Sequence, residues 1–217
     1  MKKEVKILGA IAILVIIGVV VGASYYRKST QSKRIDDPTM VRPDSPTLGA
    51  ADAPVTLVEF LDPECESCAA FAPLVKSMLK EFDGKVRFVV RYMPLHPNSI
   101  KAATLTEAAG EQGKYWQMQD LLFQKQPEWG TKHGPATTPQ ADVPALFKKY
   151  AAEIGLDQAK IDAAERENRY QAKLNRDLAD GKTLGVRQTP SFFVNGRRLA
   201  RFGEVDLRAL IDDELKK

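Results

Sequence analysis

Residues 60–73 read FLDPECESCAAFAP and hold the chain's two cysteines, Cys65 and Cys68, with Asp62, Glu64 and Glu66 around them. A pair at this spacing has three chemical uses: a disulfide staple, a metal clip or a redox reagent. A staple across so short a loop removes little chain entropy, because the benefit grows with loop length. A closed zinc site takes four ligands, usually from a second Cys or His pair. The only histidines are His96 and His133, far apart in sequence and flanked by Pro or Gly. Neither a metal site nor a cofactor is expected. The redox reading remains. If Cys65 opens a helix, unpaired backbone N–H groups and the helix dipole favour its thiolate. Cys68, one turn on, can then close or release a disulfide with it.

The elements that position the pair are legible around it. PVTLVEFLD (54–62) has the apolar, β-branched density of a buried strand. CESCAAFAPLVKSMLKEFDG (65–84) reads as a helix with Leu74, Met78, Leu79 and Phe82 on one stripe and Gly84 at its end. KVRFVVRYMPL (85–95) is a second strand, so the three make a βαβ unit with parallel strands. Helical spacing then runs from about 99 to 123 and resumes at 143–154, 158–167 and 169–180, either side of a Gly- and Pro-rich loop at 126–140. SFFVNGRRLARF (191–202) is a hairpin turned at Asn195-Gly196, and EVDLRALIDDEL (204–215) is a closing amphipathic helix. The fold class is therefore α/β: one mixed sheet, helices on both faces and an inserted helical domain at about 98–182.

Within this frame Glu59 shares a strand face with Val55, Leu57 and Leu61. A carboxyl there is desolvated and its pKa should rise, which suits it to exchange a proton with Cys68; the alternative is a strand-end acid that reaches water. Tyr115, Trp116, Met118, Leu122 and Phe123 fit helix core better than a substrate-facing patch, and Arg197, Arg198 and Arg201 fit a solvated hairpin.

From about Gly49 to Leu215 the chain resembles the thioredoxin-fold DsbA-like thiol–disulfide oxidoreductases of bacteria, exported or membrane-anchored. Four features carry the resemblance: the strand–CxxC–helix order, Glu59 six residues before Cys65, Pro73 eight residues after it, and LGVRQTPSFFVNG at 184–196. The resemblance implies catalysis by Cys65 and Cys68, assisted by Glu59. It implies a cis Thr189–Pro190 bond facing the pair, with Thr189 and Pro190 contacting an extended substrate. The strongest oxidants of that family carry Pro-His between the cysteines, where this chain has Glu66-Ser67. With Asp62 and Glu64 nearby, the three acids should oppose the dipole, so Cys65 should titrate below a free cysteine yet above the extreme oxidants. The implied function is an extracytoplasmic oxidoreductase of cysteine-containing exported proteins, an oxidase before a reductase or isomerase, recharged by a membrane redox partner. A membrane-tethered, non-catalytic chaperone is the alternative from a different class.

The N-terminus decides location. Ile7 to Tyr26 carries no charge, long enough as a helix to span a bilayer core; lysines precede it, and Arg27 and Lys28 follow. Residues 1–26 are expected to be a signal anchor or transmembrane helix. A cleaved leader ending near Val21-Gly22-Ala23 is the alternative. The Pro-rich stretch 27–48 reads as a linker, and 49–217 as the thioredoxin-like domain. Of the 32 basic and 28 acidic residues, eight and four lie in 1–48, leaving 24 of each for the domain. That neutral balance argues against nucleic-acid binding, which needs a basic face.

Overall fold

The structure, a computed structural model, describes residues 13–22, 34–132 and 139–217. The N-terminal anchor expectation falls largely outside the described residues. Of it only 13–22 are described, as a helix with exposed apolar side chains. Among the described residues, no helix is long and apolar enough to cross a membrane.

A five-stranded sheet organises the domain in the order β1-β3-β2-β4-β5: β1 (Thr47–Leu48), β2 (Val55–Leu61), β3 (Val86–Tyr92), β4 (Ser191–Val194) and β5 (Arg197–Arg198). β2 and β3 pair in parallel, as the βαβ pattern requires, and the other pairings are antiparallel. Both central strands are apolar on both faces and so sandwich between two layers. On one face Val55, Leu57, Leu61, Phe88, Val90 and Tyr92 join the larger core with α1 (Glu66–Glu81) and with the closing helix α8 (Glu204–Leu215). On the other face Val58, Phe60, Val89 and Phe193 meet Met40, Met93, Leu184 and Val186.

The inserted helices are α2 (Ser99–Gly110), α3 (Tyr115–Gln124), α4 (Gln126–Trp129), α5 (Val143–Glu153), α6 (Gln158–Arg166) and α7 (Gln171–Thr183). The single helical run expected at 99–123 breaks into α2 and α3, because Gly113 takes a left-handed φ of 74°. Met118, Leu122 and Phe123 are buried and Tyr115 and Trp116 pack against the same core, so this stretch is core. α7 reaches back to the sheet at Gly181. A Cβ there would stand 2.9 Å from Met93 Sδ and 3.2 Å from Phe60, so only glycine admits so close an approach.

The expectation of a free linker up to residue 48 needs correction, because residues 34–48 are folded onto the domain. Arg34 bridges to Arg197, and Ile35 N–H donates to the Gly196 carbonyl at 2.8 Å. Asp37 caps a single turn, Pro38–Met40, and Met40 is buried. Arg42 then grips both carboxylate oxygens of Asp180 at 2.9 Å. Prolines and charges that look linker-like in sequence are here a strap with its own anchors. Arg197 is also corrected: it is buried and pairs with Glu214 at 2.8 Å, so that side of the hairpin is not solvated. The turn itself is as read, with Asn195 (φ 45°) and Gly196 (φ 77°) both left-handed, as a two-residue type I′ turn demands.

Candidate active site

The site forms where β2 ends and α1 begins. Cys65 is the N-cap residue of α1, and its backbone N–H donates to the Asp62 carbonyl at 3.1 Å. Its side chain is 8% exposed, whereas Cys68, one turn deeper, is fully covered. Both cysteines are free thiols. The Cys65 thiol donates to the Thr189 carbonyl at 3.3 Å. That carbonyl can accept from the thiol but not from a thiolate, so the contact belongs to the protonated form. The anion has stronger support. A hydrogen bond from the Cys68 thiol, then one from the Thr189 side chain and the backbone N–H groups of Cys68 and Ser67, outweigh burial and bring Cys65 down to about 5. Burial, the bond to Cys65 and the charge of Glu59 push Cys68 well above the ordinary thiol range. One sulfur is thus poised to ionise and the other to hold its proton.

Glu59 lies on the core face of β2, 4% exposed. Burial first, and the charge of Cys65 second, push it up to about 8. This bears directly on stability. In the unfolded chain Glu59 ionises near its ordinary 4.5. Between 4.5 and about 8 the unfolded chain has lost a proton that the folded one keeps. The group's contribution to stability therefore falls with rising pH, by about 1.4 kcal/mol per unit. Glu59→Gln removes that fall. The variant should gain on the parent from pH 4.5 to pH 8 in urea denaturation midpoints; a constant difference would mean that the carboxyl reaches water.

Two of the three acids beside the pair, Asp62 and Glu64, are not exposed, contrary to the expectation of three carboxylates crowding the thiolate. Asp62 is wholly buried and accepts from the backbone N–H of Glu64 at 2.9 Å, of Leu95 at 2.6 Å and of His96 at 3.2 Å. It also accepts from Ser99 Oγ, and its Oδ2 lies 2.7 Å from His96 Nδ1. Glu64 ties the same turn to α2 and to the insert. It accepts from Asn98 N–H (2.6 Å) and Nδ2 (3.0 Å), and from Thr131 N–H (2.8 Å) and Oγ1 (2.6 Å). Each acid is spent on holding loops around the cysteines. Only Glu66 is exposed to solvent.

The Thr189–Pro190 bond is cis, and Thr189 sits against Cys65. Pro190 lines a hollow of about 250 Å³ with Gln188, Phe192 and Phe202. The half-exposed Phe202 packs tilted against Phe71 of α1, with ring centroids 4.4 Å apart. On the other side of Cys65 an open groove of about 840 Å³ is lined by Glu64, Glu66, Ser67, His96, Gln126 and Lys132, among others. Four of the expected site residues therefore come together: Cys65, Cys68, Glu59 and Thr189. Pro190 adjoins them at the apolar hollow. Nothing in its own neighbourhood marks His96, which stands beside Pro97, because its partner Asp62 lies 34 positions away. Pro73 lies inside α1, where it leaves the Ala69 carbonyl without its usual intrahelical donor. Among the described residues, no cluster of His, Cys, Asp or Glu is placed to hold a metal ion.

Comparison with known proteins agrees with this geometry. The thioredoxin family profile (Thioredoxin_4) matches residues 42–213. Two solved structures align over most of their length. One is BdbD from Bacillus subtilis in oxidised form (TM-score 0.70, 24% identity, 86% of this chain and 98% of that one). The other is a thioredoxin-like oxidoreductase from Silicibacter pomeroyi (TM-score 0.69, 25% identity, 84% and 99%). α-DsbA1 of Wolbachia pipientis has the same fold (TM-score 0.70, 20% identity, 82% and 94%). Among curated sequences, a protein named Na(+)/H(+) antiporter NhaA from Herminiimonas arsenicoxydans is 35% identical over 162 residues, which is 75% of this chain and 24% of that protein. The chain thus spans about a quarter of the length of such relatives. By sequence profile the chain belongs to the thioredoxin family, and it shares its fold with BdbD and α-DsbA1.

Proposed function

We propose that the protein is an extracytoplasmic oxidase of thiols, exchanging disulfides with exported, cysteine-containing polypeptides through Cys65 and Cys68. The observation that carries this is the division between the two sulfurs: Cys65 brought down to about 5 at a helix start, Cys68 buried and pushed up beside Glu59. In the oxidising direction a substrate thiolate attacks Cys65 Sγ of the Cys65–Cys68 disulfide. The S–S bond breaks, and Cys68 leaves as a thiolate that takes a proton, for which the buried Glu59 carboxyl, whose charge Cys68 feels, is the donor. A second substrate thiolate then attacks the substrate sulfur of the mixed disulfide, and Cys65 leaves. Its low pKa makes it a good leaving group. The substrate is oxidised by two electrons and the pair reduced by two. Thr189 and Pro190 offer the backbone edge and apolar hollow along which an extended chain lies during the exchange.

A stabilised Cys65 thiolate favours the reduced pair and so makes the disulfide oxidising. Export follows from the uncharged run at Ile7–Tyr26 behind its lysines. The same segment, if retained, tethers the domain beside a membrane redox partner that returns the pair to the disulfide. Titrating the chain in glutathione buffers tests the direction. A midpoint above about −200 mV supports an oxidase, and one near about −270 mV assigns it to the reductases instead.

A further inference from the structure

The groove beside Cys65 contains a histidine–carboxylate contact that the exchange chemistry above does not use. His96 stands in the loop between β3 and α2, with Nδ1 2.7 Å from Asp62 Oδ2. The Asp62 carboxylate is wholly buried, whereas the His96 ring is about a third exposed and faces the groove that Cys65 lines. Asp62 is also the residue whose carbonyl receives the Cys65 N–H, so one short turn holds both the sulfur and the imidazole. Resting on the oxidoreductase reading, we propose that His96, oriented by Asp62, is the cationic partner of the Cys65 thiolate and a positioning residue of the exchange. His96 comes from a different loop than the cysteines and lines the same groove as Glu66 and Ser67.

The electrostatics have the right sign. Partial burial disfavours the imidazolium. The hydrogen bond and charge of Asp62, then the negative charges of Cys65 and Glu64, outweigh it and raise His96 above its usual range. The charged or titratable groups around the ring, among the described residues, are Asp62, Glu64, Cys65 and Glu66 from the turn and the start of α1, and Lys132 from the insert. Glu64 is committed to Asn98 and Thr131, which leaves Cys65 as the anion that changes with redox state. Coupling of this kind is reciprocal: whatever His96 does for the thiolate, the thiolate does for His96. The Asp62 carboxylate also keeps four other donors, from Glu64, Leu95, Ser99 and the His96 backbone. Removing the ring therefore does not orphan it.

The test is ultraviolet thiolate absorbance of the reduced full chain against pH, in the parent, His96→Gln and His96→Lys. His96→Gln should raise the Cys65 midpoint by about one unit, and His96→Lys should restore it. One unit is a tenfold change in the equilibrium with glutathione at pH 7, about 30 mV towards reducing. The parent alone gives a second readout that needs no substitution. By NMR, the His96 ring should lose about the same one unit of pKa when the pair is oxidised. An unmoved Cys65 midpoint in His96→Gln, or a His96 titration indifferent to oxidation, overturns the inference. Failure of the two thiols to cycle with glutathione at all overturns the oxidoreductase reading instead.

Discussion

Cys65→Ser lowers the rate of exchange with a model disulfide by on the order of a thousandfold or more, because a hydroxyl cannot replace the ionised sulfur. Cys68→Ser gives a different result: mixed disulfides accumulate. Cys65 still attacks, but no second thiol sits beneath it to resolve the adduct. The asymmetry follows from depth. Cys65 touches the groove and Cys68 is fully covered, so an incoming sulfur reaches the first and not the second. Non-reducing gels of the two variants, incubated with an unfolded cysteine-containing protein, separate the outcomes. Equal behaviour of the two would reject the assignment of roles, and full activity in both would leave the fold serving as a binder.

Arg91→Met destabilises the domain by about 3–5 kcal/mol, the largest stability effect expected of a single substitution here. The guanidinium is completely buried behind the sheet, on the face away from the cysteines. Its Nε and Nη2 donate to Asp177 Oδ1 at 3.1 and 2.9 Å, and Nη2 also to Asp180 Oδ2 at 2.6 Å. Nη1 donates to the carbonyls of Met40, at 3.0 Å, and of Thr39. Deleting the cation leaves the buried Asp177 charge with only the more distant Arg176, at 3.9 Å, and takes the guanidinium donor from two strap carbonyls. The cost is that of an orphaned charge rather than of a lost attraction. Adding Asp177→Asn should recover part of it. The charge is then gone, while an amide oxygen can still accept from Tyr92 N–H, which now donates to Asp177 at 3.1 Å. Urea denaturation of the full chain reads both variants, and a loss under about 1 kcal/mol for Arg91→Met would show that water enters to solvate the pocket.

Local patterns wrote most of the frame into the sequence. β2, α1 and β3 came out of β-branched density and one apolar stripe, and the hairpin out of Asn195-Gly196. Glu59 was legible because strand alternation fixes which face a residue takes, and that face was otherwise apolar. What escaped depends on partners distant in sequence. Asp62 and Glu64 look like surface charges until the start of α2, more than thirty positions later, brings them backbone N–H donors. The strap at 34–48 reads as a linker because its anchors, Asp180, Gly196 and Glu214, lie at the other end of the chain. Arg197 looked solvated for the same reason, since its partner Glu214 is on the closing helix. Periodicity reports a segment's own faces and says nothing of which remote carboxylate will meet which donor.

The division of protons in the site fixes how many of them accompany the electrons. From about pH 5 to about pH 8, Cys65 has already lost its proton, Cys68 keeps one and Glu59 keeps its own. Closing the Cys65–Cys68 bond in that window releases two electrons but a single proton. The midpoint potential then drifts by about 30 mV per pH unit, half the slope of a pair that sheds two protons. Oxidising strength is in this way partly insulated from the acidity of the surroundings.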